Sequence, residues 1–218
     1  MTAEIRDRLL KLDTSCLCDA RKTLRTLDSA IRPLVPGVKM VGRAFTVPCC
    51  DDFLRIVRAL HDAEPGDVLI VDGQGGRKAL AGELFATEAR RKGLAGIVVD
   101  GAVRDVAAIR TLAFPVYCRA VTPMAGAVGS LSSTPVPVSC GGVTVLPGDI
   151  VIGDDDGVVV ASEAELAEIL PLAEEIKRKE TEALRRMANG DSLHDLMNVS
   201  EHLDAIGSGK KSQLRFLF

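Results

Sequence analysis

The chain has 218 residues, of which 47% are hydrophobic and 26% charged, and this composition suits one globular domain with a substantial core. A net charge of -3 and an aromatic content of 3%, with no Trp, argue against the basic surface and stacking side chains of a nucleic-acid-binding protein. No apolar run approaches the roughly 18 residues of a membrane span, and the charged N-terminus lacks the apolar core of a signal peptide. We therefore expect a cytoplasmic protein that binds neither nucleic acid nor membrane.

The N-terminal part of the chain, residues 1–40, is predicted to be mainly helical, with the helical pattern between residues 4 and 27. A strand is predicted from Val41 to Val47. A helix is predicted from Asp51 to His61, because its apolar residues are spaced to line one face.

Two consecutive strand–loop–helix units follow. In chain order they are a buried strand Val68–Val71, a glycine loop Asp72–Gly76, a helix over about 82–92, a second buried strand 96–99, a loop 100–105 and a short helix to about Leu112. This alternation, followed by a short strand 116–118, predicts an α/β protein whose ligands bind beyond the carboxyl ends of its strands. Residues 72–84 and 100–105 are therefore the predicted site.

The second half of the chain has a different pattern, in which short apolar strands alternate with tight turns. Strands are predicted at 141–145, 149–152 and 157–160. A long helix begins after the capping box of Ser162 and is expected to be interrupted or kinked near Pro171. The tail 191–218 ends in two Phe residues, which we expect to dock on another surface, with a neighbouring subunit as one option.

Arg104 and Asp105 are the leading candidates for chemistry, because they lie between a buried strand and a helix. Asp supplies hard oxygen ligands for a Mg²⁺-like cation, and Arg supplies a planar fork for a carboxylate or an enolate oxygen. From spacing alone, Asp105 is equally well explained as a helix cap. Glu83 is likewise equally well explained as a structural residue, because the dipole of the helix that it begins favours an acid there in any protein. The free N–H groups at the start of that helix also make an anion site.

Two other features are interpreted structurally. The glycine loop followed by Lys78 matches neither a Walker motif nor a dinucleotide-binding fingerprint, so its glycines are predicted to allow close approach of backbone to a small ligand or to the facing loop. The six cysteines lack the spacing of a zinc site and are interpreted as small buried apolar residues: Cys16, Cys18, Cys49, Cys50, Cys118 and Cys140.

The stretch GDVLIVDGQGG…AGELFATEARRKGLAGIVVDGAVRDV, residues 66–106, resembles the core of the RraA-like family. The stretch GGVTVLPGDIVIGDDDGVVV, residues 141–160, resembles the family's second block, and the resemblance extends over about residues 40–185. The family includes class II 4-hydroxy-4-methyl-2-oxoglutarate / 4-carboxy-4-hydroxy-2-oxoadipate aldolases as well as regulators of ribonuclease activity. Its aldolases carry an acid, twenty intervening residues and then Arg-Asp, which Glu83, Arg104 and Asp105 match. Two departures are Glu83 itself, where Asp is usual, and Ala108, where the pattern has an acid.

The resemblance implies an α/β fold of three layers, β/β/α, similar to phosphohistidine swivelling domains, in a single domain. The core would span residues 41–160 and the C-terminal helix and tail 161–218. It also implies a homotrimer or homohexamer with the active site between subunits. An acid from the C-terminal region of a neighbouring subunit would complete the site; the candidates are Glu174, Glu175, Glu180 and Glu182.

By the same resemblance, the chain is expected to be a lyase that uses Mg²⁺ or Mn²⁺ to cleave a small 2-oxo acid to pyruvate, with oxaloacetate decarboxylation as a side reaction. Asp105 would hold the metal, Arg104 would neutralise the enolate, and Glu83 would assist the metal shell or the proton transfer. Gly82, Leu84 and Phe85 would form the carboxylate-binding helix start. The alternative is a non-catalytic regulator that binds and inhibits a ribonuclease, which needs neither acid.

Overall fold

A computed structural model of the chain describes residues 1–49, 52–129 and 135–218. Cys50 and Asp51, the predicted first residue of a helix, lie outside the described residues. The helices are α1 (Ala3–Leu10), α2 (Thr14–Ala20), α3 (Leu54–Asp62), α4 (Glu83–Arg91), α5 (Val106–Leu112), α6 (Glu163–Ala188), α7 (Leu193–Leu196) and α8 (Val199–Gly207). The strands are β1 (Arg25–Thr26), β2 (Arg32–Pro33), β3 (Met40–Pro48), β4 (Asp67–Ala81), β5 (Gly96–Val103), β6 (Val116–Val121), β7 (Val138–Cys140), β8 (Val143–Val145), β9 (Ile150–Gly153) and β10 (Val158–Ala161).

One mixed sheet organises the fold, with the strand order β1-β10-β9-β3-β4-β5-β6-β2. Its centre, β3 to β6, is parallel, whereas β9, β10 and the short edge strands β1 and β2 pair antiparallel. The remaining two strands, β7 and β8, form a separate hairpin. The predicted α/β class is therefore confirmed.

The two faces of the sheet are covered differently, as the alternating side chains of β3 demonstrate. Val41 and Val47 lie on the face that packs against helices. Met40 and Ala44 point to the opposite face, where the core is completed by residues of the β7–β8 hairpin such as Val138. Helices, sheet and hairpin make three layers, which confirms the predicted β/β/α arrangement.

A partly buried ion-pair cluster fastens the hairpin to the sheet. Asp100, in β5, accepts hydrogen bonds from Arg119 Nε at 2.6 Å and from the N–H of Gly141, in the hairpin turn, at 2.6 Å. Arg119 also donates to Asp28 Oδ2 at 2.9 Å. The hydrogen bonds to Asp100 and Asp28 raise the pKa of the Arg119 guanidinium. Sequence patterns pointed to none of these contacts.

The glycine loop predicted at 72–76 is wrong, because β4 continues as a strand through Ala81. The pairing of β4 with β5 shifts register between Val71 and Gly76 and again before Ala79, so the extra residues form bulges rather than a loop. Gly73 lies so close to β5 that a Cβ there would be 2.7 Å from the carbonyl oxygen of Asp100. The predicted close backbone approach is thus confirmed for the facing strand.

Other predicted boundaries also change. The helical pattern of residues 4–27 is two helices, followed by β1. The predicted loop 100–105 shrinks to Arg104–Asp105, because β5 extends to Val103. The interruption predicted near Pro171 is wrong, since α6 is continuous from Glu163 to Ala188. None of the helices in the described part of the chain has a stretch apolar and long enough to cross a bilayer.

The C-terminal tail docks on its own chain. Phe216 bridges to Met197, and its ring lies 5.4 Å from that of Phe218. The guanidinium of Arg186, near the end of α6, is 5.1 Å from the centre of the Phe218 ring. The two Phe residues at the end of the tail therefore dock, as expected, on a surface, and that surface belongs to the same chain.

Gly42→Ala is expected to lower the free energy of unfolding by about 1 to 3 kcal/mol, the usual cost of overpacking a core. A Cβ at Gly42 would collide with the backbone carbonyl oxygen of Gly66, which cannot rotate away, and would lie 2.9 Å from Val68. Gly207→Ala is the control, because no atom lies within 4 Å of a Cβ built there. Urea denaturation of both variants measures the difference; equal midpoints would contradict the packing at Gly42.

Candidate functional site

The ends of three parallel strands converge at one edge of the sheet. Arg104, the first residue after β5, donates its N–H to the carbonyl oxygen of Ala81, the last residue of β4, at 3.0 Å. Thr122, after β6, donates to the carbonyl oxygen of Val103 at 3.0 Å. Because α4 starts directly beyond β4, its N-terminus is held beside Arg104 and Asp105. The structure therefore brings the predicted site residues together.

Asp105 has the left-handed backbone conformation, φ 58° and ψ 37°, which Asp tolerates better than most residues. It precedes α5 but does not cap it with its side chain. Instead, its Oδ2 accepts the N–H of Glu83 at 3.2 Å and lies 3.5 Å from Arg104 Nε. The side chains of Arg104 and Asp105 are 45% and 40% exposed, so both reach solvent. The cap interpretation of Asp105 is thus wrong for α5, and the carboxylate faces the start of α4.

The N-terminus of α4 presents backbone donors to the same place. No described residue accepts the N–H groups of Leu84 and Phe85, and the N-cap residue of the helix is Gly82, which has no side chain to accept them. The N–H of Glu83 is used by Asp105, whereas its side chain is exposed in the first turn. Two open donors and the positive end of the helix dipole can bind one carboxylate.

A pocket of about 190 Å³ opens beside these groups. Its lining includes five of the six site residues named from the sequence, all but Glu83, and adds two residues that sequence reasoning missed, Phe53 and Ala125. Phe53 had been placed on the apolar face of the predicted helix, and its ring lies 5.8 Å from that of Phe85. Ala125 pairs with Ala79 of β4 through a single bridge. The full lining is Phe53, Ala79, Leu80, Ala81, Gly82, Leu84, Phe85, Arg104, Asp105 and Ala125.

The acidic turn Asp154–Asp156 borders another cavity, of about 250 Å³, but its carboxylates have structural partners. Asp154 accepts from the N–H and the hydroxyl of Thr14 at 2.7 and 2.8 Å. Asp155 accepts the N–H of Gly37 at 2.8 Å. The turn therefore joins the N-terminal helices to the sheet.

The four acids considered as donors to a neighbouring subunit all contact groups of their own chain. Glu174 forms a two-pronged pair with Arg8 at 2.7 and 2.8 Å. The Cys16 thiol donates to Glu180 at 3.4 Å, and the other two acids pair with arginines three residues along α6, namely Glu175 with Arg178 and Glu182 with Arg185. Such exposed pairs stabilise little, so their geometry does not single out one acid.

Burial is confirmed for four of the cysteines and wrong for Cys18, which is half-buried. Loss of solvent raises the pKa of the Cys118 thiol to about 11 and raises the pKa values of Cys16 and Cys140 as well. These three thiols therefore stay protonated and unreactive at neutral pH.

Asp105 is the one carboxylate among the described residues that line the pocket. Within residues 1–49, 52–129 and 135–218, His, Cys, Asp and Glu nowhere gather in a group of three able to hold an ion. Asp105 nevertheless offers Oδ1, for which no described residue is a hydrogen-bond partner, and it is partly exposed. Mg²⁺ commonly binds through one or two carboxylates and keeps several waters. The residues present therefore fit a water-rich Mg²⁺ or Mn²⁺ site rather than an all-protein cage.

Gly82→Ala is expected to lower activity at this site at least tenfold while changing the melting temperature little. A Cβ at Gly82 would overlap Asp105 Oδ2 and lie 3.0 Å from Arg104 Cγ. Both contacts are with side-chain atoms, so the fold can accommodate the methyl group by displacing the side chains of Arg104 and Asp105. Misplacement of catalytic groups by even a small distance is costly for activity. Thermal melts beside activity measurements test this; full activity would mean that the position of Asp105 is unimportant.

Comparison with known proteins identifies the family of the chain. Residues 14–160 match the RraA-like family described as Aldolase/RraA. A provisionally named 4-hydroxy-4-methyl-2-oxoglutarate aldolase of Halalkalibacterium halodurans is 39% identical over 84% of this chain and 87% of its own length. The RNA-processing inhibitor RraA from Thermus thermophilis is similar over 69% of this chain and 93% of its own, with TM-score 0.64 and 33% identity. Streptomyces coelicolor RraAS2, from the RNase ES inhibitor RraA family, covers 85% of this chain and 98% of its own, with TM-score 0.75 and 31% identity. The chain belongs to the RraA-like family.

Proposed function

We propose that the protein is a divalent-metal-dependent lyase that cleaves a 4-hydroxy-2-oxo acid by a retro-aldol reaction and releases pyruvate. The observation that carries the proposal is the juxtaposition of Arg104, Asp105 and the open N–H groups of α4 at the mouth of one pocket. A cation, a carboxylate with an open oxygen and an anion-binding helix start are the groups that enolate chemistry needs. The name of the relative from Halalkalibacterium halodurans supports the same reaction class.

Binding of the substrate starts at α4. The N–H groups of Leu84 and Phe85 hold the C1 carboxylate, because they are the donors at the helix start that have no described partner. Asp105 would hold the divalent cation. When bound, the cation would supply Lewis-acid stabilisation of the negative charge that develops on the C2 oxygen.

Cleavage then moves charge toward Arg104. A base takes the proton of the C4 hydroxyl, the C3–C4 bond breaks, and its electron pair passes to the C2 oxygen as pyruvate enolate. The Arg104 guanidinium neutralises that oxygen. Glu83, exposed in the first turn of α4, would move the proton through water, and protonation of C3 completes pyruvate. Oxaloacetate decarboxylation passes through the same enolate and is the proposed side reaction.

A ribonuclease regulator is the second candidate, and the solved relatives favour it. The Thermus protein is titled an RNA-processing inhibitor, and RraAS2 is assigned to an RNase ES inhibitor family. Such a function depends on the outer surface and not on Arg104 or Asp105. The two candidates therefore respond differently to substitutions in the pocket.

Pyruvate release from a panel of 4-hydroxy-2-oxo acids and from oxaloacetate, with and without Mg²⁺, tests the proposal. The panel includes 4-hydroxy-4-methyl-2-oxoglutarate. We expect Mg²⁺-dependent release from at least one compound. No release from any of them, together with inhibition of a ribonuclease that survives the double substitution of Arg104 and Asp105 by Ala, would establish the regulator instead.

We further propose that the chain assembles as a trimer or a hexamer. Leu84, which lines the pocket, is 79% exposed, and two large apolar side chains in the segment leading to Ala125 are also exposed, Met124 at 62% and Val121 at 58%. Such a patch is typical of a protein–protein interface. Size-exclusion chromatography with light scattering should give a mass of at least three chains; a fully active monomer would refute this assembly.

A further inference from the structure

Asp52 is a buried acid that directly precedes a residue of the pocket wall. It is 6% exposed, whereas the next residue, Phe53, lines the pocket. A carboxylate removed from water is costly unless hydrogen bonds replace its hydration. The partners of the Asp52 carboxylate therefore indicate what this acid does.

The Asp52 carboxylate joins two pieces of chain that are far apart in the sequence. Its Oδ1 accepts the N–H of Leu54 at 3.0 Å, which closes a tight turn at the start of α3. Its Oδ2 accepts the N–H of Gly129 at 2.8 Å. Gly129 ends the segment 122–129, which follows β6 and which we call the strap. One side chain thus ties the strap to the start of α3.

Backbone hydrogen bonds place the strap along the pocket. Phe53 donates its N–H to the carbonyl oxygen of Ala127 at 3.0 Å, and Ala79 of β4 donates to the carbonyl oxygen of Met124 at 2.7 Å. Ala125, which lines the pocket, lies between these two attachments. Phe53 and the strap therefore form one continuous part of the pocket wall.

The Phe53 ring connects this wall to the start of α4. It lies 5.8 Å from the ring of Phe85, whose N–H is one of the two donors there without a described partner. Arg104, by contrast, is held in the sheet by the bond of its N–H to Ala81. Loss of the Asp52 contacts would therefore disturb the wall and leave Arg104 in place.

We propose that Asp52 is a positioning residue, which fixes Phe53 and the strap and thereby increases the affinity of the pocket for its 2-oxo acid. The inference rests on the proposed function, because it concerns the pocket in which the substrate would bind. A wall that contributes equally to ground-state and transition-state binding raises KM when it is lost and leaves kcat nearly unchanged. An acid that only stabilised the fold would affect the melting temperature and neither kinetic constant.

Asp52→Asn tests the proposal with little change in side-chain shape. The Asn oxygen can still accept the N–H of Leu54, since Asn closes such turns as Asp does. Its amide nitrogen then faces the N–H of Gly129, so two donors meet and the bond to the strap is lost. We expect KM for the best compound of the panel to rise about tenfold, with kcat changed by less than about twofold. Asp52→Ser, which offers one oxygen in place of two, should give the same result.

Two substitutions serve as controls. Gly129→Ala keeps the N–H of the strap, and no described atom lies within 4 Å of a Cβ built there, so its kinetics should match those of the parent. Asp149→Asn removes another acid that is 6% exposed, which accepts the N–H of Leu146 at 2.9 Å and pairs with Arg25. None of these three residues lines the pocket, so a lower melting temperature with an unchanged KM is expected.

Hydrogen exchange of the strap, followed by mass spectrometry, is a second readout that needs no substrate. Exchange over residues 122–129 should be faster in Asp52→Asn than in the parent, whereas exchange in β5 should be unchanged, because a backbone N–H that loses its acceptor opens more readily. Equal exchange of the strap in the two proteins would overturn the proposed contact.

The kinetic outcomes separate this inference from the proposed function. If the parent releases pyruvate and both Asp52 variants keep its KM, the positioning role is overturned and the lyase stands. A rise in KM together with a lower mass in light scattering also overturns that role, because Asp52 would then act through contacts between subunits. Absence of pyruvate from every compound with the parent protein overturns the proposed function itself.

Discussion

Replacing Arg104 by Ala is expected to reduce the turnover of pyruvate release by about 100- to 1,000-fold, the usual effect of removing one preorganised donor to an oxyanion. The Arg104 side chain is 45% exposed, so its loss opens no cavity in the core. Its backbone N–H, which bonds to Ala81, remains in the variant. We therefore expect an unchanged melting temperature beside a large loss in kcat, because the interaction with the enolate is stronger in the transition state than in the ground state.

Two further substitutions make the Arg104 test specific. Arg104→Lys keeps the charge but loses the planar fork, so most activity should still be lost. Arg90→Ala removes an exposed arginine from the last turn of α4, away from the pocket lining, and is the matched control with expected full activity. If both Arg104 variants turn over like the parent protein, the guanidinium has no role in catalysis.

Asp105→Asn is expected to abolish Mg²⁺-dependent turnover, as is exhaustive treatment of the parent protein with EDTA. Asn accepts the left-handed backbone conformation of this position about as readily as Asp, so the substitution removes the charge without changing the chain path. A neutral amide is a weak ligand for a hard divalent cation. Titration of the chelated protein with Mn²⁺, followed by electron paramagnetic resonance, measures the loss of metal affinity directly.

Readdition of Mg²⁺ or Mn²⁺ controls the chelation experiment. The parent protein should recover its activity, whereas Asp105→Asn should remain inactive over the same concentration range. Full activity of exhaustively chelated protein would remove the metal from the mechanism. Equal Mn²⁺ affinity of the parent and the variant would place the metal on other residues.

The site residues whose proximity could be predicted from the sequence lie at the ends of regular elements. Arg104 and Asp105 follow a run of apolar residues that could only be a buried strand, and Glu83 begins a helix after another such strand. Because parallel strands end at the same edge of a sheet, these residues had to meet. Local patterns therefore sufficed to predict that Arg104 and Asp105 lie beside the start of α4.

The contributions of Phe53 and Ala125 to the pocket could not be predicted in the same way. Phe53 and Ala125 reach the pocket through two isolated bridges, Asp52 to Ala127 and Ala79 to Ala125, which join segments far apart in the chain. Single bridges have no periodic signature. Likewise, the glycines after Val71 indicated a loop, but pairing with β5 holds them in a bulged strand, because tertiary contacts outweigh local preference.

The central claim is that the site forms pyruvate enolate, and hydrogen–deuterium exchange of pyruvate tests it most directly. The protein is incubated with Mg²⁺ and pyruvate in D₂O, and the methyl signal is followed by proton NMR. This measurement needs no knowledge of the second product, because exchange requires only reversible removal of a C3 proton. We predict exchange well above the rate in buffer, lost on chelation and in Arg104→Ala. Exchange at the buffer rate with the folded, Mg²⁺-loaded protein would contradict the account.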